Sequence, residues 1–148
     1  MTINVPFPTT EPRTPTILCI DDNPDTTYAI ELHLRRFNVK VSKAEHGMLG
    51  YAKALRQEPQ LIVLDIRLPH GDGTMVLEQL RSHSATAHTP VIVLSAVHDR
   101  AMQVRMFHLG ANSYLTKPIH SGALFAEMSR FVELLEVETF DNGIAEGR

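Results

Sequence analysis

The 148-residue sequence predicts a single doubly wound α/β domain, a parallel sheet with helices on both faces, on three observations. From Thr16 onward, short β-branched runs alternate five times with longer stretches of helical period, the pattern of successive βα units. Three of the runs, Ile17 to Ile20, Leu61 to Leu64 and Val91 to Leu94, are nearly continuous Ile, Leu and Val. Strands covered on both faces read this way, whereas half-exposed strands alternate apolar with polar. The length suits one domain with a real core.

The first strand is Ile17 to Ile20, and the first helix opens at Asn23 as cap with Pro24 at its first position; proline tolerates that position because its missing N–H would be unpaired there. Ile30, Leu34 and Phe37 fall on one face of that helix. A second strand spans Val39 to Lys43, and a second helix runs from about Met48 to Gln57, where Pro59 stops it. After the third strand, Leu61 to Leu64, a helix from about Thr74 to His83 turns Val76, Leu77 and Leu80 inward. The fourth strand, Val91 to Leu94, precedes a helix over Asp99 to Leu109 with Gly110 placed as a left-handed cap. The fifth strand is Ser113 to Thr116; Ser121 caps the last helix, with Leu124, Met128, Val132 and Leu135 as its apolar stripe.

The expected domain covers residues 16–137. Residues 1–15 carry Pro6, Pro8, Pro12 and Pro15 among polar residues and read as a flexible leader, because proline resists both helix and sheet ladder. Residues 138–148 read as a polar tail. A formal charge of -3, from 14 basic and 17 acidic residues without runs, gives no electrostatic footprint for nucleic acid or an anionic membrane; the pair Arg35 and Arg36 reads as a solvated helix face. No segment has the length and apolarity of a membrane span or the layout of a signal peptide, so cytoplasmic residence is the default expectation. One cysteine, Cys19, lies inside the first apolar run, where a buried inert thiol is expected and no internal disulfide can form.

Chemistry gathers at the strand ends. In a parallel sheet all C-terminal strand ends share one edge, so Asp21 and Asp22, Asp65, Ser95 and Lys117 converge on one pocket. Three carboxylates there repel one another unless a cation intervenes. Oxygen ligands without a Cys or His cluster favour a hard ion such as Mg2+, held by Asp21, Asp22, Asp65 and the Arg67 backbone carbonyl. Phosphoryl transfer asks for an in-line nucleophile and neutralised equatorial oxygens: Asp65 supplies the nucleophile, Lys117 and the Ser95 hydroxyl meet the oxygens, and Ala96 leaves space for the incoming group.

Taken singly, each residue has a plainer reading: Asp21 and Asp22 as a solvated turn, Ser95 as a helix cap, Lys117 as a surface lysine, Tyr114 as packing. A calcium-loop reading of Asp21, Asn23 and Asp25 fails, because Thr26 stands where a glycine is required and Leu32 where the bidentate glutamate belongs. The eight histidines are dispersed without ligand spacing. Met102 and Met106 fit either a docking surface or core packing.

The segments IDDNPD, LDIRLPHGDG, VLSA and SYLTKP together resemble the bacterial response-regulator receiver domain, over about residues 16 to 137. The resemblance implies a flavodoxin-like (βα)5 sandwich with strand order 2-1-3-4-5, and assigns Asp65 as phosphoacceptor, with Gly73 eight residues later. It also implies a cis Lys117–Pro118 bond, a switch made of Ser95 and Tyr114, and a population shift in the fourth helix, fifth strand and fifth helix. The implied donor is a sensor histidine kinase or histidine phosphotransfer protein, and the implied output is binding of a downstream protein. Two features depart from the common pattern: GANSYL lacks the acidic residues that many transcription-factor receivers carry before the tyrosine, and Arg67 and Val97 stand at positions that tune phosphoryl lifetime.

Two other classes stay open on the sequence. One is a metal-dependent phosphohydrolase with an aspartyl-phosphate intermediate, whose nucleophile would follow the first strand with an acid two positions on, where Asn23 stands. The other is a receiver-like scaffold that binds partners without phosphorylation.

Overall fold

The computed structural model describes residues 14–137; the expected tail and all but the end of the expected leader lie outside them. Five strands and five helices alternate: β1 (Thr16–Ile20), α1 (Pro24–Leu34), β2 (Lys40–Ala44), α2 (Gly47–Gln57), β3 (Leu61–Leu64), α3 (Gly73–Ser82), β4 (Val91–Ser95), α4 (Arg100–His108), β5 (Ser113–Thr116) and α5 (Ser121–Ser129). The strands form one sheet in the order β2-β1-β3-β4-β5, every pairing parallel. The chain therefore steps outward from β1 in two directions, and the crevice between β1 and β3 is the switch point where open α/β sheets place ligands.

Adjacent strand residues point to opposite faces, which divides the core in two. Leu18, Ile20, Ile62, Leu64, Val91 and Val93 face α2, α3 and α4, while Ile17, Cys19, Leu61, Val63, Ile92 and Leu94 face α1 and α5. Each of these aliphatic side chains contributes roughly 1.5–3 kcal/mol when withdrawn from water, so the sheet is the part of the molecule least free to open. Cys19 is fully buried, and burial pushes its thiol up to about 12, as expected for an inert position. Among the described residues no helix is long and apolar enough to cross a membrane.

Side-chain caps open four of the helices, of which the sequence signals predicted Asn23; His46 caps α2 by accepting from the Leu49 amide. Asn23 accepts from the Asp25 amide, and Asp99 from the Ala101 amide; Asp72 caps α3 by accepting from the Thr74 and Met75 amides. Gly110 closes α4 at φ 110, a backbone conformation that a Cβ would strain. Arg35 and Arg36 are exposed, as expected.

The last helix differs from expectation at both ends. Ser121 is already its first residue, and His120 holds the cap position without a side-chain hydrogen bond. The helix stops at Ser129 because the chain beyond it finds other backbone partners: the Asn38 amide donates to the Leu135 carbonyl (2.8 Å) and the Val137 amide to the Arg36 carbonyl (2.8 Å). Leu135 is consequently exposed, while Val132 still reaches the core. Met106 also resolves in favour of packing, being fully buried, with Met102 partly buried against the same cluster.

Candidate functional site

The C-terminal edge of the sheet carries the predicted convergence. Asp21 follows β1 and is buried, with its amide donating to the Ala44 carbonyl (3.0 Å). Asp65 follows β3 and is equally buried; its amide donates to the Ile20 carbonyl (3.0 Å), so the two neighbouring strands hold both carboxylates side by side. Lys117 follows β5, and its amide donates to the Ser95 carbonyl (2.8 Å), which continues the ladder from β4 and brings the lysine stem over the pocket. The Lys117 ammonium then sits between the carboxylates, 2.9 Å from Asp21 Oδ2 and 3.1 Å from Asp65 Oδ2. Asp22 is exposed at the rim, yet carboxylate oxygens of Asp21, Asp22 and Asp65 all lie within 4.8 Å of one another.

The remaining oxygens are only partly satisfied. Asp21 Oδ1 accepts from the Asn23 amide (2.9 Å), and Asp65 Oδ1 accepts a long bond from the Arg67 amide (3.4 Å). Burial raises the Asp21 carboxyl above its ordinary range, and the neighbouring Asp65 charge pushes the same way; bonds from Lys117 and Asn23 pull it down without winning. Burial by itself would lower the Lys117 ammonium, but Asp21 and Asp65 outweigh it and hold it above its usual value. One ammonium against three carboxylates leaves two negative charges uncompensated. That donor set, oxygen-only and short of positive charge, fits a hard divalent cation such as Mg2+.

Gly73 is required by close approach: a Cβ there would lie 2.4 Å from the Asp65 carbonyl oxygen and 2.5 Å from the Ile66 Cα. The Gly73 amide in turn donates to the Ile66 carbonyl (2.6 Å), so the loop after Asp65 folds back tightly onto it. The Lys117–Pro118 bond is cis, as the resemblance implied.

Ser95 is almost fully buried at the end of β4, and its Oγ accepts from the Val97 amide (3.3 Å). The α4 cap itself is Asp99. The Tyr114 hydroxyl donates to the Val97 carbonyl (2.6 Å), so Ser95 and Tyr114 grip the same peptide segment of the β4–α4 loop from two sides. Burial raises the Tyr114 hydroxyl's titration, with the Asp65 and Asp99 charges adding to it.

A cleft of about 660 Å3 opens beside Asp22, with Arg67, Leu68, Val97, Met102 and Arg105 among its lining. Arg105 was not singled out by sequence, and Met102 only as a residue of a docking surface or of the core. Their three-residue spacing on α4 places them on one helix face, the one signal that could have found them.

A family model described as the response regulator receiver domain matches residues 17–129. The chain is 36% identical over 114 residues to the DNA-binding dual master transcriptional regulator RpaA of Synechocystis sp., a match covering 77% of this chain and 47% of that protein. It is 32% identical over 108 residues to protein PilH of Pseudomonas aeruginosa, covering 73% of this chain and 89% of that one. Among solved structures, it is similar to the receiver domain of a sensor histidine kinase from Pseudomonas aeruginosa PAO1, which has a magnesium ion coordinated in its active site cleft. That likeness has a TM-score of 0.72 at 29% identity, over 79% of this chain and 96% of that chain. The chain spans less than half the length of several curated relatives it matches.

Proposed function

The chain belongs to the response regulator receiver domain family of two-component signalling, and from that premise we propose that it works as a phosphoryl-controlled switch with Asp65 as the accepting residue. The observation that carries this reading is the Lys117 ammonium held at 2.9 and 3.1 Å between Asp21 and Asp65: a half-buried cation placed where the oxygens of a phosphoryl group on Asp65 would develop charge.

In the proposed reaction an Asp65 carboxylate oxygen attacks phosphorus, the donor's N–P bond breaks, and its electron pair returns to the donor nitrogen of a histidine kinase or histidine phosphotransfer protein. Lys117 and the Ser95 hydroxyl take the phosphoryl oxygens. Asp21, Asp22, Asp65 and the Arg67 backbone carbonyl would hold Mg2+, which would supply the positive charge that Lys117 alone does not. Hydrolysis by water releases orthophosphate and returns Asp65 to its starting state, so self-phosphorylation from small donors and autodephosphorylation are the reactions expected of the domain itself.

When Ser95 turns to the phosphoryl group it releases the Val97 amide, and the Tyr114 hydroxyl on the Val97 carbonyl carries that change into the α4-β5-α5 face. Val104 and Phe107 are exposed on that face and suit docking of a downstream protein. RpaA is described as DNA-binding, but this chain covers under half of it, and the sparse charge here gives no nucleic-acid footprint. Residence in the cytoplasm goes with the proposed kinase partner. The phosphohydrolase reading is disfavoured because Asn23, where its second acid would stand, spends its side chain capping α1. A scaffold that is never phosphorylated leaves the Lys117 placement unexplained.

The test is an amide NMR spectrum of the full chain with and without beryllofluoride and Mg2+. Shifts at Asp65 to Arg67, Ser95 to Val97, Tyr114 and Lys117 are expected, and none in Asp65→Asn. An unchanged spectrum would contradict the switch.

A further inference from the structure

The two ends of α4 are fastened by different parts of the molecule. At the N-terminal end the β4–α4 loop is held by Ser95 Oγ and the Tyr114 hydroxyl, both groups of the proposed switch. At the C-terminal end the hold is Arg81, from the last turn of α3. Its Nε and Nη2 donate to the Gly110 carbonyl (3.1 and 2.8 Å), its Nη1 to the Thr86 carbonyl (3.1 Å), and its Nη2 also to Asn112 Oδ1 (3.2 Å). Arg81 makes no salt bridge among the described residues, so its planar fork is spent entirely on backbone and amide oxygens. Asn112 extends the clamp into the sheet: its Oδ1 accepts from the Val91 amide (2.8 Å) and its own amide donates to the Val91 carbonyl (2.8 Å).

Packing is lopsided in the same sense. The one buried residue of α4 is Met106, near its C-terminal end, whereas α3 buries five. Exposed residues stand at both ends, Arg100 and Ala101 at one and Phe107 and His108 at the other, so the asymmetry lies in Met106 and in the hydrogen bonds of Arg81. A helix anchored this way yields first at its N-terminal end.

We propose that α4 is a lever pinned at its C-terminal end by Arg81, a positioning residue that confines movement begun at Asp65 to the end of the helix nearest Ser95 and Tyr114. The inference rests on the switch reading above and deepens it by naming the pivot. A nine-residue helix is about 13 Å long, so a swing of roughly 10° about the pinned end moves the free end by about 2 Å, within the range of helix shifts in switching proteins.

The experiment places spin labels in the full chain and measures two distances, Ala52→Cys to Ala101→Cys and Ala52→Cys to His108→Cys, before and after beryllofluoride with Mg2+. All three positions are exposed, and Cys19, fully buried, does not take the label. The expected result is a shift of about 2 Å at Ala101 with His108 stationary, and in Arg81→Ala a shift at both. Arg81→Lys, which keeps the cation and part of the reach, is expected to restore the stationary His108; if Arg81→Ala fails to fold, Arg81→Gln, which keeps much of the stem and loses the fork, takes its place and is expected to free His108. Equal shifts at both ends of the parent, or a His108 that stays stationary in the folded variant lacking the fork, would overturn the pin and leave the switch standing. No shift at either end of the parent would overturn the switch and the pin with it.

Discussion

Asp21 is a carboxylate whose burial is only partly repaid within the chain. Its folded-state titration lies above the ordinary value of 3.8, so the folded protein holds this proton more tightly than the unfolded chain does. The sign follows: this group favours folding fully below its ordinary value, and that contribution is lost as pH rises through the raised one. Without metal at pH 7, Asp21→Asn is therefore expected to stabilise the protein by on the order of 1 kcal/mol, the usual scale of a single-site change. The gain should shrink as pH falls toward 4, which urea titrations in EDTA across pH would measure. Lys117 predicts the opposite. Removing it leaves Asp21 and Asp65 buried without their shared cation, so Lys117→Ala should lose about 2 kcal/mol in the same titrations, and Mg2+ should recover part of the loss.

At the scale of elements, the tight return of the chain after Asp65 depends on two adjacent residues at the start of α3. Asp72 accepts from two orphan amides, and the Thr74 contact holds its carboxyl below the ordinary range; Asp72→Ala should cost about 1 kcal/mol in thermal or urea unfolding. Gly73→Ala should cost more, about 2 kcal/mol or above, because its Cβ would meet the Asp65 carbonyl; the same measurement compares the two. A start of this kind was legible in sequence where a capping side chain and a proline stand next to a clear periodic run, as at Asn23; Asp99, expected as the first residue of α4, is its cap. The end of α5 was not legible. Leu135 continues the helical spacing, but the competing partners, the Asn38 amide and the Arg36 carbonyl, lie about a hundred residues away in the chain, where no local pattern reports them. The clamp of Arg81 on Gly110 was hidden for the same reason: it joins residues 29 apart through a backbone oxygen that carries no side-chain signature.

For the whole molecule, parallel topology made the site readable. Once the strands run one way, their ends share an edge, and the order β2-β1-β3-β4-β5 sets the ends of β1, β3, β4 and β5 side by side, which draws Asp21, Asp65, Ser95 and Lys117 together. What topology leaves open is the division of labour between the residues, since charge balance decides it: the edge carries more carboxylate than one ammonium can offset. A divalent cation should therefore stabilise the folded chain as a whole, by about 2.7 kcal/mol at a hundredfold excess over Kd. Urea unfolding with and without Mg2+ measures this, and Asp65→Asn should reduce the effect. The most direct test of Asp65 as phosphoacceptor is the intact mass of the full chain after incubation with acetyl phosphate and Mg2+, beside Asp65→Asn and an EDTA control. One labile phosphoryl group that requires metal and is absent from Asp65→Asn is the expected result; an adduct that persists in Asp65→Asn, or forms equally without metal, would contradict it.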